Sequence, residues 1–347
     1  PCDTKPEICC EEPKPGPFAF AFPMDMGLNC PRDFYFHIDG LAMQAKEDGL
    51  DFAIRDTTAL GATANLTDGT IGGFSGDNQD WDYNPGARFG LGFYLSHDAW
   101  NLDFNWTWLN ITNYNHFNAS NNGGSVLPLW LTGDATPAAV TGGTRSSAKW
   151  QSSYNTFDIR LAKPYHVSRY FILNPHFGLR GGWIDQAFSV DYGGAQLNST
   201  TRTIFRSSND FWGVGARCGI DTDWVLGKGW CLFGNIAASM LFGKFEVDES
   251  MTYPNATSGG FNVDYNFYQN VPNMEMMLGI GWGRHFSKHR YHTSLKLAYE
   301  FHEWWDQLNL RKFYSGSTSS TGGFVNDTIS RGNLTLNGFS LRWQIDI

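Results

Sequence analysis

The sequence predicts an all-β chain folded as a transmembrane antiparallel up-and-down β-barrel. Three observations carry that: segments that alternate apolar and polar residues, connections that are alternately short and long, and a composition rich in aromatics but low in hydropathy. The 347 residues include 39 Gly, 27 Phe, 14 Trp and 14 Tyr, and only 17% are charged. Mean hydropathy is -0.34. A barrel wall has this profile because half of its strand residues face hydrocarbon and half face water. A helical membrane protein needs about 18 consecutive apolar residues per span, and the longest comparable stretch, 236–242, is far shorter. The net charge of -9 excludes the basic stripe that nucleic-acid binding requires.

Taken in chain order, residues 1–32 form a Cys/Pro-rich segment ahead of a barrel at 33–347. No signal peptide is visible after Pro1, and the export signal is taken to have been removed already. Phe18, Phe20 and Phe22 read as one short strand. Phe34, Phe36 and Ile38 alternate with Tyr35, His37 and Asp39, and a turn at 46–49 leads into a further strand at Leu50, Phe52 and Ile54. Ala87, Phe89, Leu91, Phe93 and Leu95 then alternate with polar or small residues. They are followed by the clearest signal, in which Trp100, Leu102, Phe104, Trp106 and Trp108 are interleaved with Asn101, Asp103, Asn105 and Thr107. Nine residues of period two match the length of a tilted membrane strand, and residues 96–99 close the pair as a hairpin.

The pattern repeats at 157–161 with 171–179, at 211–220 with 230–245, at 274–282 with 295–301, and at 339–347. The strand at 230–245 is partly apolar on both faces, so its orientation stays open at this point. Within pairs the turns are short. Between pairs the stretches 58–80, 111–147, 190–208, 247–270 and 306–331 are long and rich in Gly, Asn, Ser and Thr. This predicts short periplasmic turns, long extracellular loops and about 12 strands, up to 16.

The stretch GVGARCGIDTDWVLGKGWCLFGNIAASMLFGKF at 213–245 resembles the major outer membrane protein of the chlamydiae and the related porin-like proteins of environmental chlamydiae and legionellae. DGLDFAIRD at 48–56 and NPHFGLRGGW at 174–183 support the likeness. Cys9-Cys10 and the final Ile347 depart from the family's pattern. The resemblance implies an integral outer-membrane porin, a homotrimer, and cysteines that cross-link to other envelope proteins. Cys2, Cys9, Cys10, Cys30, Cys218 and Cys231 are the disulfide candidates. The first four lack the C-x-x-C pairs usual for structural zinc. Cys218 and Cys231 flank one hairpin turn, yet the face assignments put them on opposite sides, so their pairing stays open.

Motifs for chemistry fall short. His302-Glu303-Trp304-Trp305-Asp306 lacks the second histidine of H-E-x-x-H and continues a strand. His285, His289 and His292 cluster across a turn and read as polar residues at the membrane boundary. Gly279, Gly281 and Gly283 lack a βαβ context. No catalytic residue, metal or cofactor is expected. The charged residues of the polar faces are the functional candidates: Arg88, Asp103, Asp158, Arg160, His176, Arg180, Lys296, Glu300 and Arg342. Rings of such side chains set a transverse field and a size limit for small hydrophilic solutes; alternatively, they only satisfy one another in a plugged barrel. Trp81, Trp100, Trp108, Trp183, Trp212, Trp304 and Trp305 are expected in the aromatic girdles that meet lipid headgroups. The expected function is therefore passive diffusion through an outer-membrane channel. The alternative is an adhesin or structural envelope barrel acting through its loops and cysteine cross-links.

Overall fold

The computed structural model describes residues 22–23, 34–56, 69–74, 82–95, 100–119, 124–130, 143–197, 200–254, 260–286, 291–318 and 322–347. In chain order these hold β1 (Phe22–Pro23), β2 (Phe34–Glu47), β3 (Ala53–Asp56), β4 (Gly69–Gly72), β5 (Asn84–Leu95), β6 (Trp100–Asn118), β7 (Ser125–Pro128) and β8 (Arg145–Ala162). They continue with β9 (Tyr165–His166), β10 (Phe171–Leu197), β11 (Thr200–Gly227), β12 (Trp230–Thr252), β13 (Gly260–Phe286), β14 (Tyr291–Thr318) and β15 (Gly322–Asp346). The strands β2, β5, β6, β8 and β10 through β15 pair antiparallel in that order, and β15 pairs back with β2 to close the ring. Ten strands make the wall. The two-residue strands β1 and β9 pair at the start of β10 and bring this sheet to twelve.

The long strands carry two opposite patterns end to end. On β12, Trp230, Leu232, Ile236, Met240 and Phe242 point outward and are exposed, while Asn235 and Ser239 are buried inside. Above Phe242 the pattern inverts: Lys244, Glu246, Asp248 and Ser250 occupy the outer face, and Phe245, Val247 and Met251 are buried. Ladder neighbours change in step. Trp183 on β10 is followed outward by Asp185, and Trp212 on β11 is preceded by Asp210. The inversion marks the membrane surface, since lipid demands an apolar exterior and water a polar one. Thirteen residues of β12 cross the membrane, roughly 43 Å of extended chain at ~3.3 Å per residue and enough for a tilted span of the ~25 Å apolar band. The remainder of β10–β15 rises beyond it as an upper storey with an interior like that of a soluble protein.

This corrects several sequence expectations. Much of the chain read as loops at 190–208, 247–270 and 306–331 is strand, because those residues lie above the lipid, where the inverted pattern does not look like a membrane strand. The segment at Leu50, Phe52 and Ile54 does not form a wall hairpin with β2; β3 pairs with β4 and β7 in a separate three-stranded sheet. Phe52 and its neighbour Ala53, which point to opposite faces, are both 0% exposed, which a wall strand with one face toward lipid would not allow. The turn expected at 221–229 tightens to Lys228 and Gly229, with positive φ at Gly227, Lys228 and Gly229. Trp304 belongs to no girdle; it is 0% exposed inside the barrel. Cys218 and Cys231, whose pairing the sequence leaves open, face apart as their phase indicates: Cys218 is on the outer face beside Ile220 and Cys231 on the inner face opposite Gly281, with no bond between them. Cys2, Cys9, Cys10, Cys30, Trp81 and His289 lie outside the described residues.

Candidate functional site

At the level of the membrane band the barrel interior is polar, and all nine sequence candidates face it. Arg88 forks onto Glu300 at 3.0 and 2.8 Å and reaches Asp39 at 3.1 Å. Asp39 also accepts from Arg342 at 2.9 and 2.8 Å and contacts His37 Nδ1 at 2.9 Å. Arg160 holds Asp103 at 2.6 to 3.1 Å and lies 3.6 Å from Asp221. Arg180 forks onto Asp158 at 2.6 and 2.7 Å and also binds Glu275, whose second oxygen takes Arg217 at 2.5 Å. His176 sits between Arg217 at 3.2 Å and Asp221 at 3.5 Å. His302 bridges Glu300 at 3.1 Å and Glu275 at 3.4 Å, joining two of these clusters. Lys296 lies nearer the periplasmic end, 3.6 Å from Asp223.

The candidates are thus brought together, but as mutual partners. Five guanidiniums face six carboxylates, with three histidines among them. Bidentate guanidinium–carboxylate pairs fix geometry strongly. They also offset the several kcal/mol that each ion loses on leaving water. His37, Asp39, Arg217, Asp221, Glu275 and His302 belong to the network without being among the pore-lining candidates read from sequence; His302 enters that reading only as part of an incomplete H-E-x-x-H motif. The usable signal was their phase, because each falls on the polar side of its strand.

A cavity of about 220 Å³ threads this network, from Asp223, Lys296 and Gln344 near the periplasmic turns to a floor of Leu41, Met43, Leu109, Tyr154 and Leu336. It is roomy enough for several waters. Beyond that floor the interior becomes an apolar core crossed by a layer of buried polar side chains. Wall residues Trp150, Phe188 and Phe205 pack there against the three-stranded insert. Phe74 lies 6.4 Å from Trp150 and 6.2 Å from Phe188, and Trp130 stacks on Phe205 at 5.0 Å. The insert hangs from the wall by few polar bonds: the Tyr192 hydroxyl donates to the Phe52 carbonyl at 2.6 Å, Asn115 to Gly73 at 2.7 Å, and Arg55 to Asn118 at 2.8 Å. The lumen is therefore polar below and sealed above. The floor is made of wall side chains, and the core above it is shared between wall residues and chain from the connections after β2 and β6.

A ten-stranded wall with an ion-paired interior below and a polar outer face above is an outer-membrane architecture, and the family comparison agrees. The family model described as Legionella pneumophila major outer membrane protein precursor matches residues 29–347. The chain belongs to that family. As a family member it is an integral protein of the bacterial outer membrane, in line with the resemblance seen at 213–245. No curated protein matches the chain. Among solved structures it is similar to the outer membrane protease OmpT from Escherichia coli, 9% identical with a TM-score of 0.42, covering 91% of this chain and 97% of that one. It is also similar to the Pseudomonas putida toluene transporter TodX, 7% identical with a TM-score of 0.24, covering 92% and 91% of the two chains. A Pseudomonas aeruginosa FadL homologue is likewise 7% identical, with a TM-score of 0.24 and coverage of 91% and 90%.

Proposed function

We propose that this family member is an outer-membrane channel for small hydrophilic solutes and ions that rests closed and opens when the β3–β4–β7 insert leaves the lumen. One observation carries the reading: above the wall side chains that floor the polar cavity, the core that blocks the lumen is completed by an insert built from chain connections, not from the hydrogen-bonded wall. An insert of that kind can move without breaking the barrel's ladder. With it displaced, the facing Arg88, Arg180, Arg217 and Asp158, Glu275, Glu300 impose a transverse field on whatever passes. With it in place, an ion would have to cross an apolar core and shed its hydration there. No covalent chemistry is involved, and the homotrimer and disulfide-linked envelope partners implied by the family belong to the same proposal.

Single-channel recording in planar bilayers tests it. Wild-type protein is expected to show rare, brief openings. Phe52→Ala and Phe74→Ala, which remove fully buried insert rings, are expected to raise the open fraction. Failure of wild type and both variants to conduct, with the barrel verified as folded, would sink the proposal. A second reading, a non-conducting adhesin or structural barrel, is favoured by the balanced ion pairs and by the height of β10–β15 above the band. It predicts that trimming the outer loops abolishes surface binding, while loosening the insert changes no conductance.

A further inference from the structure

Inside the upper storey, above the apolar floor of the cavity, runs a layer of buried polar side chains that the channel reading does not use. Glu47, at the end of β2, is 0% exposed, and neither of its carboxylate oxygens has a hydrogen-bond partner. Among the described residues no guanidinium or ammonium pairs with it. Its neighbours are the carboxamide of Gln186, which lies beside it without completing a well-formed hydrogen bond, and the backbone at Gly332, where an added Cβ would lie 2.8 Å from Glu47 Oε1.

The layer continues around the barrel. Gln186 is the ladder neighbour of Asn209, and Asn209 Nδ2 donates to the Gln307 carbonyl at 2.9 Å. Gln307 lies in the bulge where β14 carries extra residues against β15, next to Leu308 opposite Gly332. Asn113 Nδ2 donates to the carbonyl of Ala45, two residues before Glu47, at 3.3 Å. Trp304 lies opposite Leu334, which in turn faces Glu47 across the β15–β2 ladder.

The unmatched atoms define what is missing. Both Glu47 oxygens, Asn113 Oδ1, Asn209 Oδ1 and Gln307 Oε1 are buried without a partner, against three nitrogens, Gln186 Nε2, Gln307 Nε2 and Trp304 Nε1, and one hydroxyl, Ser152 Oγ, on the ladder neighbour of Gln186. The amide orientations of Asn113, Asn209 and Gln186 are fixed by bonds already made, since each asparagine donates to a backbone carbonyl and Gln186 Oε1 accepts from Trp150 Nε1 at 3.0 Å. Buried polar groups in native proteins are paired, and each orphan calls for an occupant. Five oxygens, two of them on a carboxylate, call for a positively charged one.

We propose that this layer is a binding site for a small monovalent cation, anchored by the Glu47 carboxylate and completed by the amide oxygens of Asn113, Asn209 and Gln307 and by water. Carboxylate and amide oxygens are the ligands hard cations select. One carboxylate balances one positive charge, whereas a divalent ion would leave an uncompensated charge in an apolar surround. The site stands independently of whether the barrel conducts.

The rival occupant is a proton, because burial pushes the Glu47 carboxyl well above its usual range, with Asp48 and Glu303 acting in the same direction. A proton would satisfy one oxygen and leave the amide oxygens unmatched. The experiment compares full-length protein in detergent micelles in sodium chloride and in choline chloride of equal ionic strength, with potassium chloride as a parallel series. A ligand bound only by the folded form raises the unfolding midpoint in step with the logarithm of its concentration once the site is filling. Wild type is expected to unfold at higher temperature in either alkali chloride than in choline chloride, and Glu47→Gln to lose that difference. Equal midpoints for wild type in all three salts overturn the site, as does an undiminished difference in Glu47→Gln. Infrared spectroscopy of wild type needs no variant: a protonated-carboxyl band at neutral pH in sodium chloride that vanishes in Glu47→Gln would assign the layer to a proton and overturn the cation. Absence of that band supports it.

Discussion

Glu275 is the place where the interior network is most sharply testable. One oxygen binds Arg180 and the other Arg217, and all three side chains are buried. Glu275→Gln keeps the shape and removes the charge. Arg180 retains its fork on Asp158, while Arg217 is left with His176 and, at 3.9 Å, the same Asp158. Two buried guanidiniums then share one carboxylate. Removing one partner from a buried ion pair costs about 3–5 kcal/mol, a drop of roughly 10²- to 10³-fold or more in the folding equilibrium. The assay is urea unfolding in micelles followed by tryptophan fluorescence. The matched control is the double variant Glu275→Met with Arg217→Met, which removes the pair together. Apolar replacement of a buried pair is commonly neutral or stabilising, so the double variant should unfold at higher urea than Glu275→Gln alone. If Glu275→Gln lies within about 1 kcal/mol of wild type, the pairs are screened as they would be at a wet surface, and a dry, mutually neutralised network is refuted.

Two further outcomes follow from the two storeys. Ile220→Arg puts a charge on the lipid face midway along the β11 span and should destabilise by about 2–4 kcal/mol in lipid vesicles, whereas Ser208→Arg, on the same face of the same strand above the inversion, should cost under ~0.5 kcal/mol; equal effects would misplace the membrane surface. Glu249, also above the band, accepts from the Tyr265 hydroxyl and the Arg311 backbone N–H, and burial pushes its carboxyl up to about 7. The folded form therefore holds the proton more tightly than the unfolded chain. Its contribution is complete below about pH 4.3 and is lost as pH rises to about 7, by at most ~4 kcal/mol. Glu249→Gln should flatten that part of the stability profile, and a profile identical to wild type would show that the carboxyl is solvated.

The membrane half of the fold was legible because lipid imposes one rule on every strand. Phe89 to Leu95 and Trp100 to Trp108 paired as read, and the charged candidates all fell on the inner face. The upper storey was not legible, because polar-out, apolar-in strands such as 244–252 resemble ordinary loops when Gly, Asn and Ser are frequent. The ambiguity seen on 230–245 was the inversion itself, with Phe242 facing lipid and Phe245 facing the core. The insert was read as wall because Leu50, Phe52 and Ile54 alternate like a strand; only the burial of both faces distinguishes it. The pairing of Arg180 with Glu275 depends on strands far apart in sequence, which no local pattern encodes.

The central claim is that the insert closes the lumen and that its movement opens it. A tether between insert and wall tests this most directly. A Cβ at Gly72 on β4 would lie 2.5 Å from Phe117 Cγ on β6, so the two Cβ atoms are at most about 4 Å apart, within the range a disulfide spans. Single-channel current through Gly72→Cys/Phe117→Cys should be absent in the oxidised protein and return to the wild-type pattern when reductant is added to the same bilayer. Current that is the same before and after reduction would contradict the claim.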